Sequence, residues 1–171
     1  MTDYLLDTNI LLRSRDIASP DYNLVDRTIR YLISNNHHCF ITPQVLIEFW
    51  VVATRPIAVN GLGWTPEETE RAVQMLINQF EWLEETPDIF RIWLSLATTH
   101  RISGKRTHDL RIQAVVLAHN ISHILTLNPF ILCCSRRNYY CSPQQYKQRL
   151  DWDLVRNALL AASIAVYCPY N

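Results

Sequence analysis

A chain of 171 residues, 49% of them hydrophobic, is long enough for one domain with its own core and too short for a second full one. With 19% charged residues and only 3 glycines it is neither a disordered segment nor a repeat array. The formal net charge is zero, yet residues 1–90 hold 13 acids and 6 bases while residues 91–171 hold 3 acids and 10 bases, an asymmetry that permits a polyanion to meet the later half and a cation the earlier one.

Asp3 and Asp7 interrupt the opening apolar run, so no signal peptide is expected, and the late run ALLAASIAVYC is too short to span a bilayer. A cytoplasmic protein without membrane contact is the expectation. Four of the five cysteines lie after residue 130 (Cys133, Cys134, Cys141, Cys168), and without a secretory context they read as thiols.

Tyr4-Leu5-Leu6 is a short apolar strand that runs into Asp7-Thr8-Asn9, after which Ile10-Leu11-Leu12 begins a helical turn. A carboxylate thus stands where a strand ends, the place where open α/β sheets bind ligands; an Asp there also caps a turn. Residues 21–34 space Leu24, Ile29, Leu32 and Ile33 as a scaffold helix that Asn35-Asn36 ends. His37-His38 read as a solvated turn before a strand at Cys39-Phe40-Ile41.

Thr42-Pro43 combines a capping hydroxyl with a proline suited to a first helical position, and the helix continues to about Ala53. Glu48 is its lone ionisable side chain between Val45 and Ala53. Burying a carboxylate unpaired costs several kcal/mol or forces protonation, so Glu48 must reach solvent, a cation or a metal. Arg55 to Trp64 reads as a loop, mobile over a cleft, and Thr65-Pro66-Glu67-Glu68 starts a helix whose Ala72, Val73, Leu76, Ile77 and Phe80 form a core or dimer stripe. A short strand is expected within 80–85, and Thr86-Pro87-Asp88 opens a helix that ends near His100.

The stretch GKRTHDLRIQAVVLAHNISHILTLN, residues 104–128, carries the most local signal. Gly104 ends the preceding helix, Thr107 is the expected cap of the next, and that helix runs from about His108 to His119 with Asp109 in its first turn. There an acid complements the helix dipole for well under about 1 kcal/mol, which alone needs no function. ISHILTL follows as a buried strand closed by Asn128-Pro129.

Asp7, Glu48 and Asp109 therefore share one description: single acids at strand or helix ends or inside an apolar helix. If they converge, each pair about 4 Å apart costs on the order of 4 kcal/mol at an effective dielectric near 20, so the cluster implies a cation. All-oxygen ligands favour Mg²⁺, with Mn²⁺ as an alternative, over Zn²⁺.

The motifs YLLDTNILL, TPQVLIEFW and SGKRTHDLRIQAVVLAHNISHILTLN, in this order and spacing, resemble the PIN-domain ribonucleases, and specifically the VapC-type toxins of type II toxin–antitoxin systems. The resemblance covers residues 3 to about 129. It implies an α/β fold, a three-layer sandwich with a central, mainly parallel sheet flanked by helices. By the same resemblance, Asp7, Glu48 and Asp109 match the metal-binding and catalytic acids. Thr8, Asn9 and Thr126 match supporting polar positions, and Asn128 falls near a variable fourth position. The implied activity is Mg²⁺-dependent hydrolysis of RNA phosphodiesters by metal-activated water, leaving a 5′-phosphate, by a homodimer with a cognate antitoxin as partner. Lys105, Arg106 and Arg111 flank Asp109 as candidates for holding the RNA backbone.

The chain departs from the family after Asn128. No carboxylate lies between Asp109 and Asp151, so Asn128 offers at best a neutral oxygen where the family commonly has an acid. The expected division is a PIN-like domain over 1–130 and a divergent tail over 131–171, with a candidate helix from about Leu150 to Tyr167. The alternative function is a catalytically impaired PIN-like module that binds RNA or protein. Aspartyl phosphotransfer of the haloacid-dehalogenase type needs a second Asp two residues after the first, where this chain has Asn9. A structural dimer whose acids only cap helices would not respond to Mg²⁺.

Overall fold

The computed structural model describes residues 1–128 and 165–167. The order is β1 (Asp3–Leu6), α1 (Thr8–Arg15), α2 (Tyr22–Ser34), β2 (His38–Ile41), α3 (Pro43–Thr54), α4 (Pro66–Gln79), β3 (Glu81–Trp82), α5 (Pro87–Thr99), α6 (Arg106–His119), β4 (His123–Thr126) and β5 (Ala165–Tyr167).

The five strands form one sheet in the order β3-β2-β1-β4-β5, parallel except for β5, which pairs antiparallel with β4. Successive side chains of a strand face opposite sides, and β1 uses both. Tyr4 and Leu6 join the core built from α1, α2, α3 and α4. Leu5 joins Ile124 in a second core with Ile89 of α5 and Ile112, Val115 and Val116 of α6. The result is the expected three-layer sandwich. Because α1 to α4 cover one face and α5 and α6 the other, the chain crosses sides between β3 and β4, and at the carboxyl ends of the paired neighbours β1 and β4 the sheet has its switch point. Asp7 stands there, its N–H donating to the carbonyl of Leu125 at 3.0 Å.

Several local expectations are corrected. Thr107 does not cap α6: the helix begins at Arg106, and the Thr107 hydroxyl donates instead to the Gly104 carbonyl at 2.8 Å. A hydroxyl already inside the first turn points back along the helix and cannot serve the free N–H groups ahead of it. The histidine pair is not a free solvated turn, since His38 opens β2 and its Nδ1 bonds the Glu81 carboxylate, while the His37 ring meets Tyr4 edge-on. Residues 55–64 are tied down rather than loose. Leu62 N–H, Gly63 N–H and Trp64 N–H donate to the carbonyls of Val52, Arg55 and Ala53 at 3.1, 2.9 and 2.9 Å. The candidate helix over 150–167 lies outside the described residues except at its end, and there Ala165–Tyr167 is a strand. Val and Tyr favour strands, and the open edge of β4 offers unpaired backbone groups. Cys133, Cys134 and Cys141 also lie outside the described residues, as does Cys168.

Candidate metal centre

Asp7 is the residue between β1 and α1. Its extended backbone lets the carboxylate turn back and accept the Thr8 N–H at 2.7 Å, so the side chain does cap the helix. It does more than cap. Its other oxygen accepts the Thr126 hydroxyl at 2.6 Å and the Asn9 amide. Asn9 in turn donates to Thr126 Oγ1 at 3.1 Å and accepts the Leu127 N–H at 2.9 Å, clamping the end of β4 to the start of α1. Asn128 is exposed, and its backbone N–H donates to Thr126 Oγ1 at 2.9 Å. The Thr8 N–H, the Asn9 amide and the Thr126 hydroxyl thus bond the Asp7 carboxylate, while Asn128 bonds Thr126 and not the carboxylate itself.

Glu48 reaches the same region from α3. The Thr8 hydroxyl donates to its Oε2 at 3.0 Å and the Gln44 amide to its Oε1 at 2.7 Å. Thr8 therefore sits between the two acids, with its N–H on Asp7 and its hydroxyl on Glu48. Asp109, in the first turn of α6, is half-buried and near enough for its charge to act on Asp7 and for that of Glu48 to act on it.

The electrostatics couple all three. Asp7 is 3% exposed, and burial pushes its pKa up to about 6; the Thr126 hydroxyl and the Thr8 N–H pull it down, and the charges of Glu48 and Asp109 push it further up. Burial, then the Glu48 charge, also raises the Asp109 carboxyl above its ordinary range, against the cationic pull of His108 and Arg106. Among the described residues no three His, Cys, Asp or Glu side chains stand close enough together to hold a metal ion. Asp7 and Glu48 instead bond neutral donors, which lowers the energy of carboxylates that have no cation between them. The donor set is hard oxygen throughout and carries excess negative charge in a dry place. That fits a divalent cation of the Mg²⁺ type and suits neither zinc nor copper.

A cleft of about 910 Å³ opens beside the acids, between α3 and α6. Thr8, Gln44 and Glu48 form its inner end, Ile47, Val51 and Val52 an apolar wall, and Lys105, His108 and Arg111 the other side. Of the expected RNA-facing cations, Lys105 and Arg111 line it, but Arg111 is paired with Glu85, which reduces its hold on a further anion. Arg106 acts on Asp109 electrostatically.

Two residues of the site escape sequence reasoning. Gln44 lies four residues before Glu48, and that helical spacing was the available signal. Trp93 of α5 donates its indole N–H to the Thr107 carbonyl at 2.9 Å and so supports the turn that carries Asp109; no local pattern announces it.

Solved structures share this fold. The chain is similar to VapBC2 from Rickettsia felis, solved bound to a DNA fragment from their promoter, with 19% identity, a TM-score of 0.56 and coverage of 74% of this chain and 88% of that one. It is similar to a toxin–antitoxin complex from Klebsiella pneumoniae at 18% identity and a TM-score of 0.53, covering 76% and 90%. It is also similar to VapC20 of Mycobacterium tuberculosis, described as a sarcin-ricin loop cleaving toxin, at 15% identity and a TM-score of 0.52, covering 70% and 85%. At these identities the likeness shows the fold. None of the curated protein sequences matches the chain. The PIN domain family model matches residues 4–129, most of the chain and all three acid-bearing motifs, and the protein belongs to the PIN domain family.

Proposed function

We propose that the protein is a Mg²⁺-dependent ribonuclease, the toxin of a toxin–antitoxin pair. One observation carries the reading: where the sheet changes sides Thr8 joins two acids, its N–H on the Asp7 carboxylate at 2.7 Å and its hydroxyl on Glu48 at 3.0 Å, with the charge of Asp109 acting on Asp7 from α6. The raised pKa of Asp7 marks negative charge held in a dry place, which a bound cation relieves.

Asp7 and Asp109 are the residues to hold the cation, with Glu48 beside them as ligand or as acceptor for a water proton. Mn²⁺ would serve in place of Mg²⁺. When bound, the ion supplies Lewis acidity to a phosphodiester and lowers the pKa of a water. The chain's own part is to orient. Thr8, Asn9 and Thr126 fix the Asp7 carboxylate through three donors, and Lys105 offers a backbone phosphate a cation at the rim of the cleft. The apolar wall of Ile47, Val51 and Val52 suits a partner protein better than it suits RNA, in keeping with an antitoxin. No helix among the described residues is long and apolar enough to cross a membrane. A homodimer in the cytoplasm belongs to the same proposal and rests on the family resemblance alone.

The test is cleavage of a mixed single-stranded and structured RNA pool with Mg²⁺, Mn²⁺ or EDTA, alongside Asp7→Asn and Asp109→Asn. Cutting that needs the ion and is lost in both variants supports the reading. A folded protein that binds Mn²⁺ and leaves RNA intact overturns it in favour of an impaired binding module.

A further inference from the structure

We propose that Gln44 is the positioning residue of this site, fixing Glu48 and the first turn of α6 relative to one another; the inference rests on the metal-centre reading above. Its amide nitrogen donates to Glu48 Oε1 at 2.7 Å and makes a longer contact, 3.5 Å, with the His108 carbonyl, next to Asp109. One amide group thus bridges the two helices that carry acids on either side of the cleft. Both partners are acceptors, so the nitrogen must face them, and the amide cannot be turned over without setting oxygen against oxygen. The orientation leaves Gln44 Oε1 buried with no hydrogen-bond partner among the described residues. An orphaned buried acceptor works against folding, and a chain selected for stability alone would place an apolar side chain here. The cost is understandable if the two donors matter more than the oxygen, because they hold Glu48 in one place while Thr8 holds its other oxygen at 3.0 Å.

This separates positioning from mere packing, since the two roles predict opposite responses. Gln44→Met keeps the length and removes both the donors and the orphan. The metal-free variant should melt at or above the wild-type temperature, bind Mn²⁺ about 10- to 100-fold more weakly and cut RNA with a kcat lowered by a similar factor and little change in KM, the range typical of partners that orient ligands. Gln44→Leu, a second apolar replacement, should behave alike. The proposal is overturned if either folded variant binds Mn²⁺ and cuts like the wild type, or if melting temperature and activity fall together, which marks a structural residue. Should the wild type bind Mn²⁺ but cut no RNA, the ribonuclease reading fails, and the Mn²⁺ titration still decides for or against the role of Gln44.

Discussion

The hydroxyl of Thr126 donates to the buried carboxylate of Asp7 at 2.6 Å, joining the end of β4 to the end of β1 across 119 residues of sequence. It stabilises the ionised carboxylate against the burial that would protonate it. Removing it in Thr126→Val takes away a donor to the charged form, so the Asp7 pKa rises further. The acid limb of a pH profile of Mn²⁺ binding should move to higher pH, and stability at neutral pH should fall by about 1–3 kcal/mol because the Asn9 amide and the Asn128 N–H each also lose the bond they make to Thr126 Oγ1. An unchanged acid limb would count against the bond as the tuning element.

Stability of the metal-free protein should depend on pH through Asp7. Its folded pKa of about 6 lies above the ordinary 3.8, so between these values the native state binds more protons than the unfolded chain. Stability from this group is therefore greatest below about pH 4 and is lost as pH rises through 6, a change of roughly 3 kcal/mol. Asp7→Asn abolishes that dependence. At neutral pH the variant should be more stable than the metal-free wild type, by less than the full amount, because an amide oxygen cannot accept at both positions that the carboxylate serves. Urea melts at pH 5 and pH 7.5 check this, and parallel curves for the two proteins would refute it.

A divalent cation should reverse the sign. At a Mg²⁺ or Mn²⁺ concentration a hundred times its Kd the wild type gains about 2.7 kcal/mol, and for a domain of this size the melting temperature rises by roughly 5–10 °C. EDTA should remove the gain, and neither Asp7→Asn nor Asp109→Asn should show it. Equal shifts in all three proteins would mean that the ion acts elsewhere.

Trp93→Phe keeps a ring in the second core but loses the N–H that reaches the Thr107 carbonyl. Stability should fall by only about 0.5–1.5 kcal/mol, the net worth of one hydrogen bond. Mn²⁺ affinity should fall with it, because the turn that carries Asp109 has no side-chain cap of its own. Calorimetric titration of the folded variant reads this directly.

Gly61 lies against the Arg55 carbonyl, where an added Cβ would come within 1.9 Å of the oxygen. Gly61→Ala must push the backbone of 55–64 outward and should destabilise by about 1–3 kcal/mol, as overpacking does. Arg55 also lines the cleft, so partner binding there should weaken in the same variant. A Gly61→Ala protein with wild-type urea stability would show that the loop yields freely.

Much of the layout was legible in the sequence because its determinants are local. Thr42-Pro43 and Thr65-Pro66 announce helix starts through capping and a fixed φ, and both caps form. Asp7 after an apolar strand and Asp109 in a first turn were visible as residue type plus position. Thr107 misled for the same reason, since a capping hydroxyl looks alike one turn early or late.

What only the tertiary structure decided is who meets whom. The strand order 3-2-1-4 brings Thr126 and Asn9 onto Asp7, and the crossing of the chain to the second face sets α6 opposite α3, so that Gln44 can touch both Glu48 and His108. Capping and periodicity act over three or four residues, within reach of the sequence. Strand pairing and the side of the sheet on which a helix lands depend on the whole core closing at once, and the placement of the acids and their donors follows from that closure.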